Sequence, residues 1–293
     1  MMAISGPALA RAPELHPLLR KLVAGAIPAV MGVVNVTPDS FSDGGKFLAP
    51  ENALAQARRL IAEGADIIDV GAESTRPYGS AAPVSAEQEI ERLRPVLADL
   101  IALGIPVSID SMKSSVTAFA LDAGAVISND VWGLLRDPGM AKLVAARDCP
   151  VIIMHNRDSA DPSIDVMQDI AAFFARALDV AAKAAIPSGN IVLDPGIGFG
   201  KTHAQSMIAL ARLDELQSFG LPLLVGASRK RFIASVSPAE PQQRLGGSIA
   251  AHLVASQHGA RIIRTHDVAD TVQALRVAQA IEDASEEAIE GKR

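Results

Sequence analysis

Aromatic residues are scarce, at 3% of 293 positions, so Ala, Val, Ile and Leu must fill any core. The 49% hydrophobic content is enough to do so in one large domain or two ordinary ones. Cys149 is the single cysteine, which excludes an intrachain disulfide and fits a reducing compartment. No apolar run approaches the roughly 20 residues of a membrane span. The N-terminal segment lacks the continuous apolar stretch of a signal peptide. An excess of basic residues is missing too. The formal net charge of -6 argues against general nucleic-acid binding, although it leaves room for a small anion held by local cations. These absences predict a soluble, cytoplasmic protein with no membrane or nucleic-acid partner.

Several catalytic signatures are also lacking. There is no His-Glu-x-x-His, no paired-cysteine site and no Gly-x-Ser-x-Gly elbow. The stretch Gly196-Ile197-Gly198-Phe199-Gly200-Lys201-Thr202 resembles a phosphate loop but has the wrong spacing. That motif needs four residues between its first glycine and the Gly-Lys pair, and Pro195 stands where the first glycine belongs.

What the chain does contain is alternation. Apolar runs at Val30–Asn35, Ile67–Gly71, Val107–Asp110, Val126–Asn129, Val151–Met154, Ile191–Asp194, Leu223–Gly226 and Arg261–Arg264 predict strands. Amphipathic patterns predict helices over Glu51–Glu63, Ser85–Leu103, Ser114–Asp122, Pro138–Arg147, Asp165–Ala185, Ala204–Phe219, Gln243–Gln257 and Asp267–Glu282. Ser85 and Gln88 form a candidate capping box. This series of strand–helix units points to an α/β protein, a single (β/α)8 barrel, rather than a doubly wound open sheet. Leu15, Leu18, Leu19 and Leu22 have helical spacing and predict a short capping helix. The expected organisation is an N-terminal extension over 1–28, a barrel domain over 29–285 and a charged tail over 286–293.

Barrel chemistry sits at the C-terminal ends of strands, and polar residues fall there. Asn35, Asp69, Asp110, Asn129, Asp194 and Arg264 close or nearly close their strands, and Lys230 follows the seventh. Burying such groups is costly unless they are paired or bind something. Asp110, Asn129, Asp194 and Lys230 offer the acceptors and donors that a flat heterocycle needs, because a carboxylate can accept two N–H bonds from an amino-amide edge. Asn35, Thr75, Arg76, Arg264 and His266 form an anion-binding set, with Asn35 a candidate Mg²⁺ ligand. Plainer readings stand beside these. Asp69 satisfies a backbone group or a cation inside the barrel. His155 is a satisfied loop histidine without a role, and Arg229 pairs with an acidic neighbour. Phe199 and Met154 are packing residues that also wall a pocket.

The motifs NVTPDSFSDGG from Asn35, DVGAESTRP from Asp69, SID at Asp110, ND at Asn129, LDPGIGFGK from Leu193, SRKRF from Ser228 and RTHD from Arg264 occur in one order. In that order they resemble dihydropteroate synthases of folate biosynthesis, over Val30 to Ile281. The resemblance implies a transferase of a non-methyl alkyl group. Its substrates would be 6-hydroxymethyl-7,8-dihydropterin diphosphate and p-aminobenzoate, with Mg²⁺ as cofactor, a homodimeric assembly and an aminobenzoate pocket that is the sulfonamide target in this family. It implies a pterin pocket of Asp110, Asn129, Asp194 and Lys230. Asn35 would serve the metal and diphosphate, with Arg264 and His266 as anion contacts. Thr75 and Arg76 match the second loop, while Phe41, Pro77 and Arg231 fall near the aminobenzoate. Departures include Ala72 for a usual glycine, Tyr78 before Gly79, and Arg231 where some members carry serine. A pterin-binding methyltransferase domain and a non-catalytic pterin-binding barrel are the alternatives. Neither calls for the NVTPDSFSDGG and STRP loops together with the cations.

Overall fold

A computed structural model describes residues 13–36, 49–73 and 84–290 of the chain. Eight parallel strands close into a barrel: β1 Ala29–Asn35, β2 Ile67–Gly71, β3 Val107–Asp110, β4 Ile127–Asp130, β5 Val151–Met154, β6 Ile191–Asp194, β7 Leu223–Val225 and β8 Ala260–Thr265. Each pairs with its sequence neighbour, and β8 returns to β1 with Ala29 opposite Ile262. Around the strands lie α1 Pro17–Leu22, α2 Ala49–Ala62, α3 Ala86–Leu93, α4 Leu97–Ile101, α5 Ser114–Ala123, α6 Met140–Arg147, α7 Val166–Lys183, α8 His203–Ala211, α9 Arg231–Val236, α10 Leu245–Gln257 and α11 Val268–Glu290. The last helix runs through the boundary drawn at 285. Among the described residues, no helix is long and apolar enough to cross a membrane.

The period of two in each strand divides the barrel into two cores. Residues such as Val34, Val70, Ile109, Ile153, Leu193, Val225 and Ile263 face outward and pack under the helices. The inward residues Met31, Ile67, Ile127, Ile152, Val192, Leu224 and Ile262 form a separate lower cluster. Leu19 of α1 joins that lower cluster at 1% exposure, with Leu15, Leu18 and Leu22 packed around it. The N-terminal helix is therefore a plug in the lower mouth of the barrel. Its anchor is the backbone, since His16 N donates to Gly189 O at 2.9 Å.

Two residues above most of these inward apolar side chains, the same face becomes polar or open. Ile67 is followed by Asp69, Ile127 by Asn129, Val192 by Asp194, Leu224 by Gly226 and Ile262 by Arg264. The pleat thus carries apolar floor residues and polar upper residues on one wall.

Three predicted helices differ in detail. The stretch Ser85–Leu103 is two helices, because Pro95 has no N–H to continue α3 and its ring crowds the preceding turn. The capping box at its start forms, with Ser85 N donating to Gln88 Oε1 at 2.9 Å. The helix expected from Pro138 starts at Met140, because the Asp137 carboxylate takes Gly139 N at 2.8 Å and Ser114 N at 2.7 Å into a turn. The stretch Ala204–Phe219 changes from α8 to a 3-10 turn at Leu213.

Candidate active site

The upper ends of the strands enclose a pocket lined by Asp110, Asn129, Val131, Met154, Asp194, Gly196, Ile197, Phe199, Gly226, Lys230 and Arg264. All four residues expected to hold a heterocycle are in this lining. Met154 and Phe199, expected as walls, are there too. Val131, Ile197, Gly196 and Gly226 were not singled out from sequence. The first two are ordinary apolar letters in loops, without a signal of their own. Phe41, Thr75, Arg76 and Pro77, and also Tyr78, lie outside the described residues.

On one side of the pocket the charges form a fork. Arg264 donates from Nε to Asp69 Oδ2 at 2.6 Å and from Nη2 to Asp110 Oδ2 at 2.9 Å. Asn129 Nδ2 donates to the same Asp69 oxygen at 3.1 Å. Asp69 thus has the internal cation partner that the plainer reading required, and it orients two pocket residues at once. The cation that meets Asp110 is Arg264. The second oxygens of Asp69 and Asp110 are buried without a hydrogen bond among the described residues. Burial, followed by the nearby charge of Asp69, pushes the Asp110 carboxyl up to about 7. An unpartnered acceptor of this kind is costly in an empty protein and useful to a ligand with N–H groups.

On the other side stands Asp194. Its Oδ1 accepts from Gly196 N at 2.7 Å, and burial pushes its carboxyl up to about 6. Lys230 lies just ahead of α9, with Nζ 4.0 Å from the centre of the Phe199 ring. A cation over an aromatic face is held by the ring's quadrupole, which fixes both groups at the pocket edge. The loop between β6 and α8 can pass this closely because Gly196 has φ +65° and a Cβ there would lie 1.9 Å from His155 O.

The remaining expected residues surround this pocket without lining it. Asn35 ends β1 and is half-buried. His266 follows β8, and its Nδ1 lies 3.0 Å from Ser228 Oγ. Burial, then the charge of Arg264, pushes His266 down to about 3, so any anion contact it makes is by a neutral N–H. Arg231 opens α9 and is exposed. Arg229 has φ +58° and pairs with Asp267 through both carboxylate oxygens, which ties the loop after β7 to the end of β8.

His155, assigned no role from sequence, stands in a buried network. Its Nε2 is 3.0 Å from Asp169 Oδ2 and its Nδ1 is 2.6 Å from Lys201 Nζ. Lys201 is 1% exposed, an unusual place for a lysine. On sequence alone Lys201 has no role of its own, because its glycine-rich stretch lacks the spacing of a phosphate loop. A lysine closing a loop of alternating glycines is the one signal that could have marked it.

Comparison with known proteins agrees with this geometry. The profile of the pterin binding enzyme family matches residues 31–266. The dihydropteroate synthase of Bacillus subtilis is 40% identical over 86% of this chain and 88% of its own. A probable bifunctional folylpolyglutamate synthase/dihydropteroate synthase of Haloferax volcanii is 45% identical over 87% of this chain, which spans only 31% of that longer protein. The crystal structure of Xanthomonas albilineans dihydropteroate synthase with 4-aminobenzoic acid superposes with a TM-score of 0.84. It is 45% identical, and the match covers 88% of this chain and 94% of that one. The chain belongs to the dihydropteroate synthase family of pterin-binding enzymes.

Proposed function

We propose that this barrel, over residues 29–285, condenses 6-hydroxymethyl-7,8-dihydropterin diphosphate with p-aminobenzoate. The C–O bond to diphosphate breaks, the aminobenzoate nitrogen bonds to the pterin methylene, and that nitrogen loses a proton. The products are 7,8-dihydropteroate and diphosphate. The observation that carries the reading is the convergence of Asp110, Asn129, Asp194, Lys230 and Arg264 on one pocket at the strand ends.

The residues divide the work. Asp110 and Asp194 accept N–H bonds from the pterin amino-amide edge, and Lys230 donates to the ring carbonyl. The ring can delocalise positive charge at its methylene, which the two carboxyls favour in an SN1-like path. An arylamine is neutral near pH 7, so the nucleophile needs no strong base. Arg264 spends Nε and Nη2 on carboxylates, which among the described residues leaves its Nη1 edge for the departing diphosphate. Phe41, Pro77 and Arg231 are assigned to the aminobenzoate, and Thr75, Arg76 and His266 to the anion.

A divalent cation fits this donor set in one way. Among the described residues no group of three or more His, Cys, Asp or Glu could cage a metal. Mg²⁺ does not require one, because it usually takes phosphate oxygens and waters alongside one or two protein ligands. Asn35 would hold it, and the ion would neutralise charge on the leaving group.

Incubating purified protein with both substrates and Mg²⁺ should release diphosphate in step with dihydropteroate. No diphosphate at any protein concentration removes the assignment. A cytoplasmic homodimer completes the proposal. The exposed Val254, Val277 and Ile281 offer apolar surface to a second copy. Sedimentation as a monomer at micromolar concentration removes that part alone.

A further inference from the structure

We propose that Lys201 is a positioning residue for the pterin. Its buried ammonium holds the loop after β6 so that Asp194 and Phe199 meet the ring together with Lys230. This rests on the pterin pocket proposed above.

Lys201 does not line the pocket; it stands behind the loop that does. Its Nζ lies 2.6 Å from His155 Nδ1, 2.9 Å from Gly196 O and 3.2 Å from Phe199 O. Gly196 donates its N–H to Asp194 Oδ1, and Phe199 carries the ring that faces Lys230. One amine therefore fixes the two carbonyls that bracket Ile197 and Gly198, and through them a carboxyl and an aromatic wall of the site. The His155 backbone adds to the same frame, donating to Asp194 O at 2.9 Å.

The chemistry of the three partners decides the protonation state that does this. His155 turns Nε2 toward the Asp169 carboxylate, an acceptor, so Nε2 carries the hydrogen and Nδ1 accepts. Burial keeps the ring neutral, pushing it down to about 4. Gly196 O and Phe199 O are acceptors as well. An ammonium supplies a hydrogen to each of the three. A neutral amine supplies one fewer and sets its lone pair against an acceptor.

Burial nevertheless draws Lys201 down to about 7. The charged groups around it come from several neighbouring elements. They are Asp194 on β6, Asp169 on α7, Arg157 after β5 and Lys230 after β7, with neutral His155 against the amine. The loop's tie is thus intact in the acid range and is lost as pH rises through about 7.

Lys201→Met, which keeps length and removes the donors, tests this in the full chain. The KM for the pterin substrate should rise roughly tenfold or more, the worth of a charged hydrogen bond, while the KM for p-aminobenzoate stays within about twofold. Affinity for a bare pterin should fall by the same factor. Wild-type pterin affinity should decline above about pH 7, and the variant should lack that decline. Should Lys201→Met fail to fold, His155→Gln takes its place, with a several-fold rise in pterin KM while the KM for p-aminobenzoate stays within about twofold. Pterin KM unchanged, both KM values rising together, or a pH decline that survives in Lys201→Met overturns the proposal. Bare-pterin binding decides the matter even where diphosphate release is absent, so failure of the catalytic reading is read separately.

Discussion

Arg264 and Asp69 stand 195 residues apart in the chain and meet in the upper barrel, Nε to Oδ2 at 2.6 Å. One lies on β8 and the other on β2, with β1 between them. Asp69 is fully buried and also receives the Asn129 amide. A single carboxylate thereby orients the guanidinium and the amide that bound the pocket. It also places a negative charge beside Asp110.

Removing that carboxylate should be costly. Among the described residues Asp69→Ala leaves Arg264 with one carboxylate partner and Asn129 Nδ2 with none, and breaking a buried pair in this way costs about 3–5 kcal/mol. Urea denaturation measures it. A loss under about 1 kcal/mol would show that Asp110 alone suffices to hold the guanidinium.

Asp110 sets a pH dependence whose sign is fixed by its environment. Its carboxyl is raised from 3.8 to about 7 in the folded protein, so folding favours the protonated form. Its contribution to stability is full below about pH 4 and is lost as pH rises through about 7. A pterin donating N–H groups prefers the carboxylate. Binding at pH 6 should therefore release protons, and calorimetry in two buffers of different ionisation enthalpy reads the number. Asp110→Asn should reduce it. The same release in wild type and variant would assign the proton to Asp194 instead.

The β6–α8 loop should tolerate no side chain at its first glycine. Gly196→Ala forces a left-handed residue, about 1–2 kcal/mol of strain, and pushes a methyl into His155 O. The loop must shift, carrying Asp194 and Phe199 with it. Pterin affinity should drop at least tenfold with a modest change in melting temperature. Retained affinity would mean that the loop adjusts without moving the pocket wall.

Stability and catalysis should separate at the plug. Leu19→Ala empties part of the lower cluster, at a cost of about 2–5 kcal/mol. Activity per folded molecule should stay close to wild type, because the floor residues lie between Leu19 and the pocket. Parallel loss of activity at temperatures well below the melting transition would place the plug in the catalytic machinery.

The barrel was legible in the sequence because parallel strands buried on both faces read as apolar runs. β2, β3, β5 and β6 begin and end where those runs do. The polar ends of the strands were legible for the same reason, standing out against Val, Ile and Leu. What was hidden depends on distance in the chain. Nothing local to Asp69 announces Arg264, and nothing near His155 announces Lys201, 46 residues on. The split at Pro95 was readable but was overridden by a continuous amphipathic pattern on both sides. The start of α6 depended on Asp137 capturing Ser114, a partner from another loop.

The plug formed by α1 has a consequence for traffic. With the lower mouth stopped by Leu19 and its neighbours and the floor residues above them, the described residues leave the pocket facing the tips of the strands. A ring seated on that floor should arrive before anything that rests above it. The order of arrival is then favoured by the shape of the vessel, through its closed base.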